Sequence, residues 1–284
     1  MTRPEKMDLQ AAVRQRHSTR RFAEKTAAEA TLEDLMDYAA TVDHIHSPGA
    51  RVTLVNGRER VAEILARYAG VYGLVEGAPH MLIGLLPEET AVARLDLGYA
   101  LEQVVLEATR LGLATCWITG TYNPDEAARI VDTEPGEIVA AGIAMGTPRE
   151  DRVARLHDKA VRRLAGGHQR KPLDKIVFDG QWGRSWSPEG KDPDLVEILT
   201  WAQLAPSAAN RQPWRFIVGE DEIALALVRS APIDGGITMS HVTLAARTVQ
   251  RPGRWTVRWE DPELARELDL PSSAMPVGVW RFEG

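Results

Sequence analysis

Residues 205–218 read APSAANRQPWRFIV, a polar loop that runs into an apolar, strand-prone stretch. Pro206 and Pro213 set the backbone at either end, because each ring locks its own φ and removes one backbone donor. Between them Ser207, Asn210 and Gln212 carry hydroxyl and amide groups that donate and accept at once. That mixture suits the rim of a planar heterocycle with mixed donors and acceptors. Read alone, the same residues also make an ordinary capped loop. Upstream, DLVEILTWAQLA (194–205) has the apolar spacing of an amphipathic helix, so the loop falls at a helix-to-strand junction.

A second polar cluster, RQRHSTRRF (14–22), follows the short helix-like run DLQAAV. Arg16, Ser18 and Arg20 alternate, so in an extended or turning segment their side chains point the same way. Two guanidinium forks and a hydroxyl converging on one point form a charge-assisted, geometrically selective receptor for a phosphate monoester. A solvated basic turn leading into the next helix is the alternative reading.

The chain also resembles itself. Offset by 138 residues, 96–146 aligns with 234–284 without a gap. Asp96 falls on Asp234, Gly98 on Gly236, Leu106 on Leu244, Ala108 on Ala246, Trp117 on Trp255, Pro124 on Pro262 and Gly146 on Gly284. In both stretches an Asp-x-Gly opens a helix, a Trp-bearing strand follows, and Asn/Asp-Pro starts a short helix before a closing strand. TLEDLMDYAAT and RVTLVNG (31–41, 51–57) likewise match the helix and strand that flank the 206–213 loop, but their own loop reads DHIHSPGA. We read an internal duplication, with a first copy at 1–180, a Gly/Pro/Ser-rich linker at 181–191 and a second copy at 192–284. Residues 151–170 are basic and helix-prone. Helices alternate with short strands that are apolar on both faces, which predicts central sheets flanked by helices.

Composition narrows the classes. Of 284 residues 44% are apolar and 26% charged, enough for a buried core. The net charge of −6 gives no overall footprint for nucleic acid or an anionic membrane. MTRPEKMDLQ lacks an apolar leader and no run is long enough to span a bilayer, so a cytoplasmic location is expected. The single Cys116 excludes an internal disulfide. No G-x-G-x-x-G or Walker A sequence supports a dinucleotide or P-loop site.

Together the two polar clusters resemble those of the FMN-dependent nitroreductases. That family binds the FMN phosphate with an Arg-x-Ser-x-Arg/Lys near the N-terminus, here Arg16-His17-Ser18-Thr19-Arg20. It packs a Pro-Ser-x-x-Asn-x-Gln-Pro-Trp segment on the flavin ring, here Pro206, Ser207 and Asn210 through Trp214. GLATCWITG (112–120) resembles the strand whose end offers backbone N–H groups to flavin N5, which falls on Thr119 and Gly120. QRKPLDKIVF (169–178) resembles a basic segment that puts a second phosphate contact on Arg170.

Ordinary members carry both main motifs close together and pair two subunits into two sites. Here each copy keeps the half that the other lacks. The resemblance therefore implies a fused pseudo-dimer of the single-chain "putative TM nitroreductase" type, with an α+β nitroreductase-like fold of mainly antiparallel sheets. It implies one FMN site formed between the copies, complete in a monomer, with further oligomerisation open. The implied activity is an oxidoreductase passing electrons from NADH or NADPH through FMN to a small-molecule acceptor such as a nitroaromatic or quinone. An FMN-storing protein without turnover and a flavin-free relative remain the alternatives.

Other residues read more plainly. His44-x-His46 reads as surface loop and Asp96 and Asp234 as helix N-caps. Cys116 reads as a buried structural thiol, and Trp182, Trp186 and Trp201 as core or linker packing.

Overall fold

The computed structural model describes residues 6–47, 49–65, 75–149 and 169–283. The chain divides into two units, Met1–His168 and Gln169–Gly284. Most of the basic stretch expected to be helical, 151–168, lies outside the described residues.

The first unit holds a four-stranded antiparallel sheet in the order β1-β2-β4-β3. Its strands are β1 (Arg51–Asn56), β2 (His80–Leu86), β3 (Ala114–Ile118) and β4 (Ile138–Gly146). HMLIGLL forms β2, buried at every position, as its unbroken apolar run requires of an inner strand covered on both faces. Helices α1 (Leu9–Gln15) and α2 (Glu29–Ala39) lie against the long α4 (Ala91–Arg110), which packs on β2 and β3. The odd-numbered side chains Met81, Ile83 and Leu85 face the other way, into a core shared with α3 (Arg58–Leu65) and α5 (Pro124–Val131).

The second unit has a five-stranded sheet in the order β5-β6-β7-β9-β8. Here β6 (Trp214–Val218), β7 (Glu222–Leu227), β8 (Gly253–Val257) and β9 (Met275–Phe282) repeat the order of β1, β2, β3 and β4. Helix α6 (Pro193–Leu204) packs on α7 (Pro232–Thr248), and the short α8 (Pro262–Glu267) covers β9. Each sheet also breaks register within the equivalent strand pair, β2 with β4 between Gly84 and Leu85 and β7 with β9 between Leu225 and Ala226. On β9, Gly278 sits beside that break; a Cβ there would lie 2.6 Å from the Thr256 carbonyl oxygen, so only glycine lets β8 approach.

Three expectations are corrected. The division falls at 168/169 and not near 180, because Val177–Asp179 forms β5, which pairs in parallel with β6 and so belongs to the second sheet. Residues 181–191 are a folded turn and not a free linker. Trp186 is buried there, Trp182 packs on Phe178 with ring centroids 4.9 Å apart, and Lys191 pairs with Asp179 at 3.0 Å. Asp96 and Asp234 do not cap their helices: α4 starts five residues before Asp96, capped by the Thr90 side chain, and α7 starts at Pro232 without a side-chain cap. Both helices extend further upstream than their apolar periodicity suggested, because Thr90 and Pro232 are the start signals.

Candidate functional site

In the first unit Asp8 caps α1 through the Ala11 N–H, and Arg16 closes its last turn by donating its N–H to Ala12 O. The chain then leaves as an extended segment beyond β3, the edge strand of the sheet. Ser18 bridges Thr115 in parallel, the Thr19 N–H donates to Thr115 O at 2.9 Å, and Arg20 O accepts the Glu76 N–H at 2.7 Å. Thr19 and Phe22 turn into the protein, 2% and 3% exposed. Arg16, Ser18 and Arg20 are half-buried at alternate positions of this segment. His17 is exposed and donates Nδ1–H to Gln15 O at 3.0 Å. Thr119 and Gly120 are exposed at the C-terminal end of β3, and a Cβ on Gly120 would meet nothing within 4 Å.

In the second unit the loop after α6 is wound tightly. Ala209, Asn210 and Gln212 all adopt positive φ, at 50°, 52° and 47°, a costly conformation for side-chain-bearing residues that must be held by its surroundings. The Asn210 N–H donates to Ser207 O at 2.9 Å and the Gln212 N–H to Ser207 Oγ at 2.9 Å. Because that oxygen accepts, its own proton is available to donate. Pro206 is buried, while Ala208 and Ala209 are exposed at the tip.

The supporting side chains come from 169–171 and from α7. Gln212, 2% exposed, accepts the Lys171 N–H at 2.8 Å and donates to Gln169 O at 2.9 Å. Asn210 donates to Gln169 O at 3.0 Å and accepts from Arg170 Nη1 at 2.8 Å. Arg170 also donates to Ala205 O and Leu204 O, at 2.9 and 2.8 Å, so its guanidinium closes the C-terminus of α6. Lys171 Nζ donates to the Arg211 and Gln212 carbonyls, and burial with the nearby Arg215 holds its pKa below the usual lysine value. The Ala208 N–H donates to Asp234 Oδ1 at 3.1 Å, and burial pushes that carboxyl up to about 6.

Sequence reasoning named Arg170 and Asn210 as cofactor contacts, whereas here both also clamp the loop to its own unit. It missed Gln169 and Lys171 as supports, and it took Asp234 for a cap. The Asp-x-Gly shared by the two stretches was the available signal, since Asp96 holds the corresponding loop of the first unit.

A family model described as "Putative TM nitroreductase" matches residues 8–246. The chain belongs to that family. A nitroreductase described as putative from Thermotoga maritima shares the family fold with a TM-score of 0.65 at 22% identity, over 100% of this chain and 98% of that one. A nitroreductase family protein from Clostridium novyi matches 65% of this chain and 100% of its own at 18% identity and TM-score 0.45. A Bacteroides fragilis nitroreductase with bound FMN matches 51% and 90% at 20% identity and TM-score 0.43. No curated protein matches the chain by sequence. Among the described residues, no helix of this nitroreductase family member is long and apolar enough to cross a membrane, and no group of three or more His, Cys, Asp and Glu could hold a metal ion.

Proposed function

We propose that this protein is an FMN-dependent oxidoreductase that takes electrons from NADH or NADPH and passes them to a nitroaromatic or quinone-type acceptor. The observation that carries the reading is the segment of half-buried Arg16, Ser18 and Arg20 that bridges to β3 at Ser18, two guanidinium groups and a hydroxyl whose chemistry suits a phosphate monoester. When bound, FMN supplies the hydride chemistry, so no side chain of this chain needs to act as a nucleophile.

The residues around it bind and orient. Arg16 and Arg20 neutralise the phosphate, Ser18 and the exposed His17 add donors, and the N–H groups of Thr119 and Gly120 serve the ring nitrogen. In the second unit Ser207 offers its free hydroxyl proton, and Pro206 with the Asn210 loop presents a preorganised surface to the ring. The repeated strand order, the repeated register break and the paired Asp96 and Asp234 support descent of the two units from one ancestor by duplication.

Titration of the purified protein with FMN tests the cofactor. Arg16→Ala is expected to weaken binding by about 2–3 kcal/mol, the scale of a charge-assisted contact. Anaerobic addition of NADH or NADPH should bleach the flavin absorbance. Protein that takes up no FMN overturns the reading, and bound flavin that neither nucleotide bleaches leaves an FMN-storing protein.

A further inference from the structure

Asp96 and Asp234 do the same job on two different loops. Asp96, fully buried in α4, accepts the Ile45, His46 and Ala50 N–H groups at 2.7, 3.3 and 2.8 Å, and His44 Nδ1 at 2.8 Å. Four donors, from His44, Ile45, His46 and Ala50, surround one carboxylate. In the second unit Asp234 stands on the first turn of α7, 7% exposed, and takes a single backbone donor among the described residues, the Ala208 N–H.

Ala208 opens the stretch in which three non-glycine residues hold positive φ. Such a conformation persists only where its surroundings over-determine it. Gln169, Arg170 and Lys171 hold the loop from Asn210 onward, and Asp234 anchors its first turn through the Ala208 N–H. We infer that Asp234 is a positioning residue, whose carboxyl oxygen sets the Ser207–Gln212 loop in its ligand-ready conformation by holding the Ala208 N–H. Burial on α7 fixes that carboxyl oxygen in place, so the Ala208 N–H meets a preorganised acceptor rather than mobile water. The identity of the ligand, FMN, rests on the function proposed above; the positioning role does not.

The test combines amide hydrogen exchange on the apo full-length protein with FMN titration. Asp234→Ala removes the acceptor, while Asp234→Asn keeps a carbonyl oxygen in the same place. Asp234→Ala is expected to speed exchange at 207–212 at least tenfold, leave the 193–204 helix unchanged and weaken FMN at least tenfold. Asp234→Asn should restore both readouts to within about threefold of wild type, a rescue that follows from keeping the acceptor. Unchanged exchange at 207–212 in Asp234→Ala overturns the inference, as does faster exchange spread evenly over the second unit, or Asp234→Asn behaving like Asp234→Ala. If the wild type binds no FMN, the proposed function fails and the exchange comparison alone still decides the role of Asp234.

Discussion

Arg170 Nη1 donates to Asn210 Oδ1 at 2.8 Å while the same guanidinium closes the end of α6 through Ala205 O and Leu204 O. One side chain thus joins a helix terminus to a loop of strained backbone. Its planar fork reaches three acceptors at once, and a lysine ammonium has no comparable geometry. Arg170→Ala is expected to destabilise the protein by about 2 kcal/mol, the scale of charged hydrogen bonds lost with partners left behind. Arg170→Lys should recover less than half of that in urea unfolding.

The saturated carboxylate of Asp96 makes a stronger claim on stability. Asp96→Ala leaves three backbone N–H groups of the 45–50 loop without their acceptor and His44 without its partner. A loss of about 3 kcal/mol is expected from breaking so buried a set. Thermal unfolding measures it, and a change under 1 kcal/mol would show that the loop finds other acceptors.

Two histidines should contribute opposite pH dependences to stability. His80 Nε2 accepts the Ala27 N–H at 3.0 Å, so Nδ1 carries the proton given to Asn56 Oδ1 at 2.9 Å, and burial holds the ring below the ordinary histidine value. Below pH 6.5 the unfolded chain takes up a proton that the folded ring resists, so stability falls as pH drops from 6.5 toward the lowered value. His44 is shifted the other way, first by its hydrogen bond to Asp96, and its contribution is present below 6.5 and lost as pH rises through the raised value. Melting temperatures from pH 5 to 8 check both. His80→Gln should flatten the slope below 6.5 and leave the slope above it, whereas His44→Gln should do the reverse.

Gly278→Ala tests the close approach of β8 and β9. The obstructing atom is a backbone carbonyl oxygen, which cannot swing aside as a side-chain tip can. A cost of about 2 kcal/mol is expected from overpacking. An unchanged melting temperature would mean that the two strands separate freely at this register.

Much of this molecule could be read from local pattern. The unbroken apolar run of β2 announced an inner strand, and Pro206 and Pro213 marked the ends of a loop. These signals are local because they depend on side-chain period and on proline's fixed φ, both carried by a few consecutive residues. What Asp96, Asp234, Arg170 and Gln212 do was not legible in the same way. Their partners lie 46 residues away for Asp96 and Ala50, 26 for Asp234 and Ala208, 35 for Arg170 and Ala205, and 41 for Gln212 and Lys171. A carboxylate near a helix start has the same composition whether it caps its own helix or holds a distant loop, and a Gly/Pro/Ser-rich stretch looks like a linker until a Trp is buried within it. The sequence by itself determined the family and most of the sheet-forming strands, β5 and β7 excepted. Only the tertiary structure decided where the first unit ends and which backbone groups the buried polar side chains satisfy, because a hydrogen bond between residues far apart in sequence has no period to betray it.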